Sequence, residues 1–393
     1  MGGAAGHVSQ MWEATDLTFR QITDILDKIS SQELKNVTEK LDGQNIMISY
    51  KDGKVIAARS AKELRNFGEL AMDVEAMAEY FSKRGNPPSV ERSYVEAMND
   101  FQKIFDQLSP AATVNDELWL MFSGKLWLNV EILYEENENV IPYFKNQLRI
   151  HHVRHLDEDG QTIKIFTDPL LKVIEDVQRT VKTTYEIKRT NSVKTVLSAF
   201  EAAYFNGLIN SLMNDFNLND NNTIADYTEK YVFSVMDDRI IGDLRTQLAK
   251  RWGRGDKSTR INVLLKDEPE DIQTLIRSHE ERSKLTYDTA IREFKSIFSN
   301  IGITVLQQLE GLTTKDPEAC VNRIKEKMVK AINHAKINIP NGVESHIEFY
   351  EELGGLESIA PTEGIVFEYE GRLLKLTGSF TSQLRIIGFH RFG

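Results

Sequence analysis

Lys40, Asp42, Gly43 and Asn45 fall within six residues, KLDGQN, where one alternating run reaches a tight Asp-Gly pair and a second strand-like run leaves it. A lysine at such a junction can present its amine in a pocket, and a glycine beside it lets a ligand approach the backbone closely. The pattern alone occurs by chance in roughly one protein of this length in ten, so its meaning depends on partners elsewhere. Three strand-borne elements supply them: Glu131 inside LWLNVEILY, Glu363 opening EGIVF, and Lys375 in LLKLTG. Arg59 ends another alternating run nineteen positions after Lys40. Carboxylates in such a set are oxygen donors suited to Mg2+.

The elements that must position these residues are mostly strands. Asp52-Gly53 and Glu370-Gly371 are hairpin signals between alternating runs. Leu118–Phe122 and Lys125–Tyr134 read as a strand pair turning at Ser123-Gly124, and Gln147–Leu156 as a strand carrying His151, His152 and His155. On a strand those histidines give no convergent metal ligands. Helical spacing marks Asp16–Ile29, capped by Asp16 or Thr15, and then Asp73–Lys83 and Val90–Leu108, parted by Pro87-Pro88. From Asp168 the pattern turns helical, through Asp168–Lys182, Lys194–Phe216, Ala225–Trp252, Pro269–Ser299 and Glu318–Lys336. Strands return beyond Pro340-Asn341-Gly342 and a short helix. The expected class is α+β, one core split by a helical insertion, with divisions at 1–160, 161–345 and 346–393.

A chain of 393 residues, 41% hydrophobic and 27% charged, can bury a sizeable core in about two domains. No apolar run is long enough to span a membrane and no signal pattern opens the chain, so a cytoplasmic protein without membrane partners is expected. The single cysteine, Cys320, excludes an internal disulfide framework and a cysteine-clustered zinc site. The net charge of −11 is uneven: residues 161–346 hold 27 Lys/Arg against 26 Asp/Glu, leaving 21 against 33 outside. Within that middle, RTQLAKRWGRGDKSTR (Arg245–Arg260) has six basic residues and one acid. The opening Gly2-Gly3 and Gly6 read as a flexible terminus or as a flap that brings His7 near a nucleotide.

Taken in order, these motifs resemble the covalent nucleotidyltransferase superfamily of ATP-dependent RNA ligases, DNA ligases and capping enzymes. Lys40-Leu-Asp-Gly-Gln-Asn45 is similar to the first motif and Arg59 to the arginine that follows it. Asn-Val-Glu131 is similar to the third motif, Glu363-Gly-Ile-Val-Phe to the fourth and Leu-Leu-Lys375-Leu to the fifth. The resemblance covers roughly residues 36–156 and 357–380. It implies a nucleotidyltransferase core of antiparallel sheets, interrupted by a large helical insertion. It also implies an enzyme in which Lys40 attacks the α-phosphate of ATP and holds AMP as a phosphoramidate. The attacking amine must be neutral, so its pKa should be lowered from ~10.4. Lys375, Arg59 and Mg2+ (or Mn2+) would supply positive charge, and Glu363 and Glu131 would hold the metal or contact the ribose. Asn45 and Asp42 would fix the nucleotide or the lysine loop, and Glu39 would meet the adenine edge.

Two departures stand out. Thr377 occupies the place of the family's second fifth-motif lysine, leaving the missing cation to Arg372 or Lys62. The adenine-stacking aromatic has no match in LRIHHVRHL, leaving His151 or His152. Asn45 is typical of RNA ligases, and only 18 residues follow Lys375, too few for the oligonucleotide-binding barrel of DNA ligases and capping enzymes. Both features favour an RNA ligase acting on 5′-phosphate and 3′-hydroxyl ends, and the layout also resembles ligase-like proteins of tailed phages. DNA, or a catalytically inactive interaction module on the same fold, remains open, as does the oligomeric state. Lys250, Arg251, Arg254, Lys257 and Arg260, with Trp252 among them, would hold the polynucleotide.

Overall fold

Lys35–Lys40 (β2) and Gln44–Lys51 (β3) are separated by three residues, yet they belong to different sheets. The computed structural model describes residues 6, 8–108, 116–137, 139–166, 169–338 and 343–392. In the smaller sheet, Ser9–Gln10 (β1) lies parallel to Arg372–Leu376 (β10), which pairs antiparallel with Gly364–Tyr369 (β9), and β9 pairs with β2. In the larger sheet, Lys54–Ala58 (β4), β3, Leu126–Leu133 (β5), Gln147–Leu156 (β6) and Thr162–Phe166 (β7) run in that order, all antiparallel. Glu186–Arg189 (β8) adds to β6 in parallel. Leu41–Gly43 is therefore the crossing from one sheet to the other. Both hairpin signals hold: Asp52 and Gly53, then Glu370 and Gly371, have positive φ, the two-residue turn whose twist matches paired strands.

Strand alternation then decides which side chains face oil and which face the site. On the larger sheet Ile46, Ile48, Val130, Ile132, Leu148 and Ile150 pack on helices Val74–Ser82, Pro88–Leu108 and Pro169–Gln178. The intervening Asn45, Asn129, Glu131 and Arg149 turn to the other face. On the smaller sheet Ile365, Phe367, Tyr369, Leu374 and Leu376 pack against helices Phe19–Ser31, Ala199–Asp215 and Arg292–Gln307. Each fully buried side chain of this size contributes about 1.5–3 kcal/mol. Lys40, Val366 and Lys375, on the opposite face, are spared that burial.

Several sequence expectations need correcting. Asp116–Phe122 is a helix, not a strand: Leu118 and Met121, three apart, are buried while Trp119 is exposed. The first helix starts at Phe19, capped by Thr18 in a reciprocal box with Gln21, while Asp16 pairs instead with Arg372. The segment 225–252 breaks at Met236 into Ile224–Val235 and Gly242–Gly253, and 269–299 breaks at Ile291. Residues 161–345 are not purely helical, because β7 and β8 join the larger sheet, and helices Ala199–Asp215 and Arg292–Gln307 belong to the smaller sheet's core. Among the described residues of this span, helices within 224–290 share a core of their own, built on Val232, Met236, Leu248, Trp252, Ile272 and Ile276. A helix, Phe380–Phe392, follows the returning strands. Among the described residues no helix is long and apolar enough to cross a membrane. His7 and Pro340-Asn341-Gly342 lie outside the described residues.

Candidate active site

The seam between the sheets collects the charged motif residues. Lys40 ends β2 opposite Gly364, so Glu363, the residue before β9, comes alongside, with its Oε1 2.6 Å from Lys40 Nζ. Gly364 has to be glycine, since a Cβ there would sit 2.4 Å from the Leu376 carbonyl oxygen of β10. Across the crossing, Asn45 on β3 faces Glu131 on β5 in register and donates to Glu131 Oε2 at 3.1 Å and to Asn129 Oδ1 at 2.8 Å. Gly43 N donates to Glu131 Oε1 at 3.0 Å. Lys375 on β10 faces the same group through its charge.

The electrostatics reverse one expectation. Burial alone would push the Lys40 amine down, but Glu363, Glu131 and Asp42 together outweigh it and hold the ammonium above the ordinary lysine range. The carboxylates have opposite needs: burial and then the charge of Glu363 raise Asp42 well above its usual value, and burial raises Glu363 despite Lys40. Lys375 is the amine pushed down, by burial and then by the charge of Lys40. The site thus has more negative charge than its two lysines relieve.

The lysine turn is held from behind by a loop that sequence reading passed over. Asp42 N donates to the Tyr143 hydroxyl at 2.7 Å, Ile141 N donates to Asp42 Oδ2 at 2.9 Å, and the side chains of Asn137 and Asn139 donate to the Asp42 carbonyl at 2.8 and 3.0 Å. Asp42 therefore fixes the loop, as expected, and is too buried to meet a nucleotide (7% exposed). Gly43 serves a different purpose from the one its sequence suggested. A Cβ there would meet the Ile132 carbonyl oxygen at 2.6 Å and Glu131 Cγ at 2.8 Å, so it is β5, rather than a ligand, that approaches. The signal available was polar side chains able to bond nearby backbone, Asn137 and Asn139, shortly after a motif strand.

A second unforeseen segment spans the seam. After β8, Thr190 N bonds the Ile150 carbonyl of the larger sheet at 2.9 Å. Glu39 N then donates to Asn191 O, and Val193 N to Val37 O, on the smaller one, each at 3.2 Å. Arg149, buried, donates to Arg189 O and Asn191 Oδ1 and so tethers this strap. His151 is captured within it: Nε2 lies 3.3 Å from Glu131 Oε2 and Nδ1 3.0 Å from Thr190 Oγ1. His152 accepts from Arg154 Nε, and burial together with the charge of Arg154 pushes it down to about 3, so it stays neutral.

Other expected residues are engaged elsewhere. The Arg59 guanidinium lies over the rings of Tyr80, Phe81 and Tyr94 at 5.3, 4.7 and 5.1 Å and makes no ion pair with Glu131 or Glu363. The contact is cation–π stacking on three rings. Glu39 turns its buried carboxylate to Thr313 N at 2.7 Å, on the face of β2 opposite Lys40. Thr377 accepts from Gln10 Nε2 at 2.7 Å, and Arg372 is paired with Asp16, so neither replaces the missing lysine. In the basic stretch, Arg251 and Trp252 both bond Glu280, Arg254 pairs with Asp226 and Glu229, and Arg245 donates to the carbonyls of Phe233, Met236 and Ile240. Trp252 is 4% exposed and stacks on His279, so it cannot receive a base. Lys250, Lys257 and Arg260 remain exposed.

The structure thus brings together Lys40, Asn45, Glu131, His151, Glu363 and Lys375; Arg59 packs on Tyr94, whose hydroxyl bonds Gln44 beside Asn45, and the arginines of the basic stretch are braced within their own helices. No family model matches the chain, and no curated protein or solved structure is significantly similar to it.

Proposed function

We propose that this chain is an ATP-dependent nucleotidyltransferase of the polynucleotide-ligase type, with RNA ends as its substrate. The observation that carries the reading is the 2.6 Å pair of Lys40 and Glu363, with Glu131 and Lys375 beside it, at a seam between two antiparallel sheets. In the proposed reaction the Lys40 ammonium passes a proton to the Glu363 carboxylate, whose raised pKa suits it as acceptor. The amine then attacks the α-phosphorus of ATP, a P–N bond forms, and the P–O bond to pyrophosphate breaks. Lys375, already disposed to shed charge in this crowded site, gains a partner when phosphate oxygens arrive. AMP next passes to a 5′-phosphate, and a 3′-hydroxyl displaces it.

The donor set fits a hard cation. Among the described residues no group of three or more His, Cys, Asp or Glu is arranged to hold a metal, but Mg2+ typically takes one or two carboxylates and keeps its waters. Glu363, raised by burial, and Glu131, whose charge acts on it, are the residues that would hold it. When bound, Mg2+ or Mn2+ would supply positive charge against the phosphates.

The deciding measurement is incubation with α-labelled ATP and Mg2+ followed by mass spectrometry. An AMP adduct on Lys40 is expected, and Lys40→Ala should abolish it; a label that persists in that variant sinks the assignment. One observation favours a second reading, an interaction module on the same fold: the position of the second fifth-motif lysine is filled by Thr377, bonded to Gln10. Intact protein that takes up no label from ATP or GTP would support it.

A further inference from the structure

Asn45 begins a row of polar side chains that leaves the lysine cluster across the larger sheet. Its Nδ2 donates to Asn129 Oδ1 on β5 at 2.8 Å, and Asn129 Nδ2 lies 3.5 Å from His152 Nε2 on β6. Arg154 Nε donates to that same ring nitrogen at 2.6 Å. The register carries the row outward: Asn129 pairs with His152, and Arg154 with Ile165 on β7. Directly opposed strand residues share a face of the sheet, so Arg154 and Ile165 stand on the face that carries Asn45.

The far end of the row is a guanidinium with no acid beside it. Arg154 is half-buried and joins no ion pair among the described residues, and its hydrogen-bond partner, His152, is neutral. Burial alone acts on its charge, pushing it below the ordinary arginine range, and no carboxylate offsets that. Its Nη1 and Nη2 make no hydrogen bond among the described residues and stay open to solvent. A partly desolvated cation is unfavourable until an anion meets it, and the two free nitrogens form a fork that fits phosphate. Beside it, β7 exposes two apolar side chains, Ile163 (60%) and Ile165 (49%).

We propose that this face is the track of a single-stranded RNA whose reactive end lies at the Lys40 cluster, with Arg154 on a backbone phosphate and Ile163 and Ile165 against a base. The inference rests on the polynucleotide-ligase reading and adds to it the path of the substrate. Charge decides the occupant. An apolar partner leaves the guanidinium without an anion, whereas a polynucleotide brings a phosphate at every step and flat base faces between them. Continuity sets the direction, because the row from Arg154 through His152 and Asn129 ends at Asn45, which bonds Glu131 of the cluster. His152, held neutral, keeps an acceptor on Arg154 Nε and leaves the outer edge of the guanidinium for the strand.

Fluorescence anisotropy of the full chain with a labelled, 5′-phosphorylated single-stranded RNA, across a salt series, tests it. Arg154→Ala should weaken binding by about tenfold or more. It should also make the slope of log affinity against log salt shallower by about 0.7, the loss of one phosphate contact. Arg154→Lys, which keeps the charge, should restore most of that slope. Ile165→Glu, at an exposed position, should weaken binding too, and it decides the matter should circular dichroism show that Arg154→Ala does not fold. Arg179→Ala, an exposed arginine outside the row and paired with Asp176, should leave the affinity within about twofold. An affinity and salt slope that Arg154→Ala leaves unchanged overturn the proposal, as does a wild-type chain that binds no RNA at tens of micromolar. AMP uptake by the wild-type chain is read separately. A chain that takes the label but binds RNA independently of Arg154 refutes the track alone, and one that takes no label refutes the ligase reading.

Discussion

Lys40 and Lys375 are amines on strands of one sheet, yet their surroundings drive them in opposite directions. Lys40 has three acids around it and is held above the ordinary lysine range; Lys375 is pushed below it, by burial and then by the charge of Lys40. For Lys40 the decisive neighbour is Glu363, the nearest of the three and its hydrogen-bond partner. Glu363→Gln removes that charge, so Lys40 should shed its proton at lower pH. Acylation of Lys40 by a neutral amine reagent, followed peptide by peptide across pH, should show its midpoint moved downward in this variant. A midpoint that stays or rises would mean that Glu131 and Asp42 alone govern the amine. The reversal matters for the proposed chemistry, because the resting lysine is the less reactive form and Glu363, which holds the proton in place, is also the group proposed to take it.

At the scale of elements, the Lys40 turn depends on the loop Asn137–Tyr143 rather than on its own glycine. Tyr143→Phe leaves the buried Asp42 N–H without an acceptor, which costs about 1–3 kcal/mol. A lower melting temperature and slower labelling at Lys40 are expected, while Tyr134→Phe serves as a control outside the clamp. How much of this was legible in the sequence follows from the range of the interactions. Lys40, Glu131 and Lys375 were readable because each sits on a strand whose alternation is local, Glu363 because it directly precedes one, and the two positive-φ hairpins because their turn residues are local too. The stacking of Arg59 was not legible, because its aromatic partners, Tyr80, Phe81 and Tyr94, come from helices that only tertiary packing brings over the end of β4. Leu118–Phe122 was misread because a five-residue apolar run fits either period, and Trp119 alone breaks the tie by facing water.

Across the whole molecule, the helices of 224–290 form a satellite with its own small core, tied by Arg251 and Trp252 to Glu280. Arg251→Ala should destabilise this satellite by roughly 1–3 kcal/mol, visible as faster hydrogen exchange in helix Gly242–Gly253, with little change in polynucleotide affinity. Reversing the exposed Lys250, Lys257 and Arg260 should do the opposite, leaving exchange intact and flattening the salt dependence of any RNA binding. A sequence stretch that looks uniformly basic thus divides into braces and free charges only once the fold is known. The strap Asn191–Val193 has a different consequence. With β9 along one side and the strap along the other, the strand of Lys40 has no bare edge over its last residues. Another chain therefore cannot add a strand there. The strap thus stitches the strand of Lys40 to both sheets, and Thr190 marks the point where it leaves the larger sheet for the smaller.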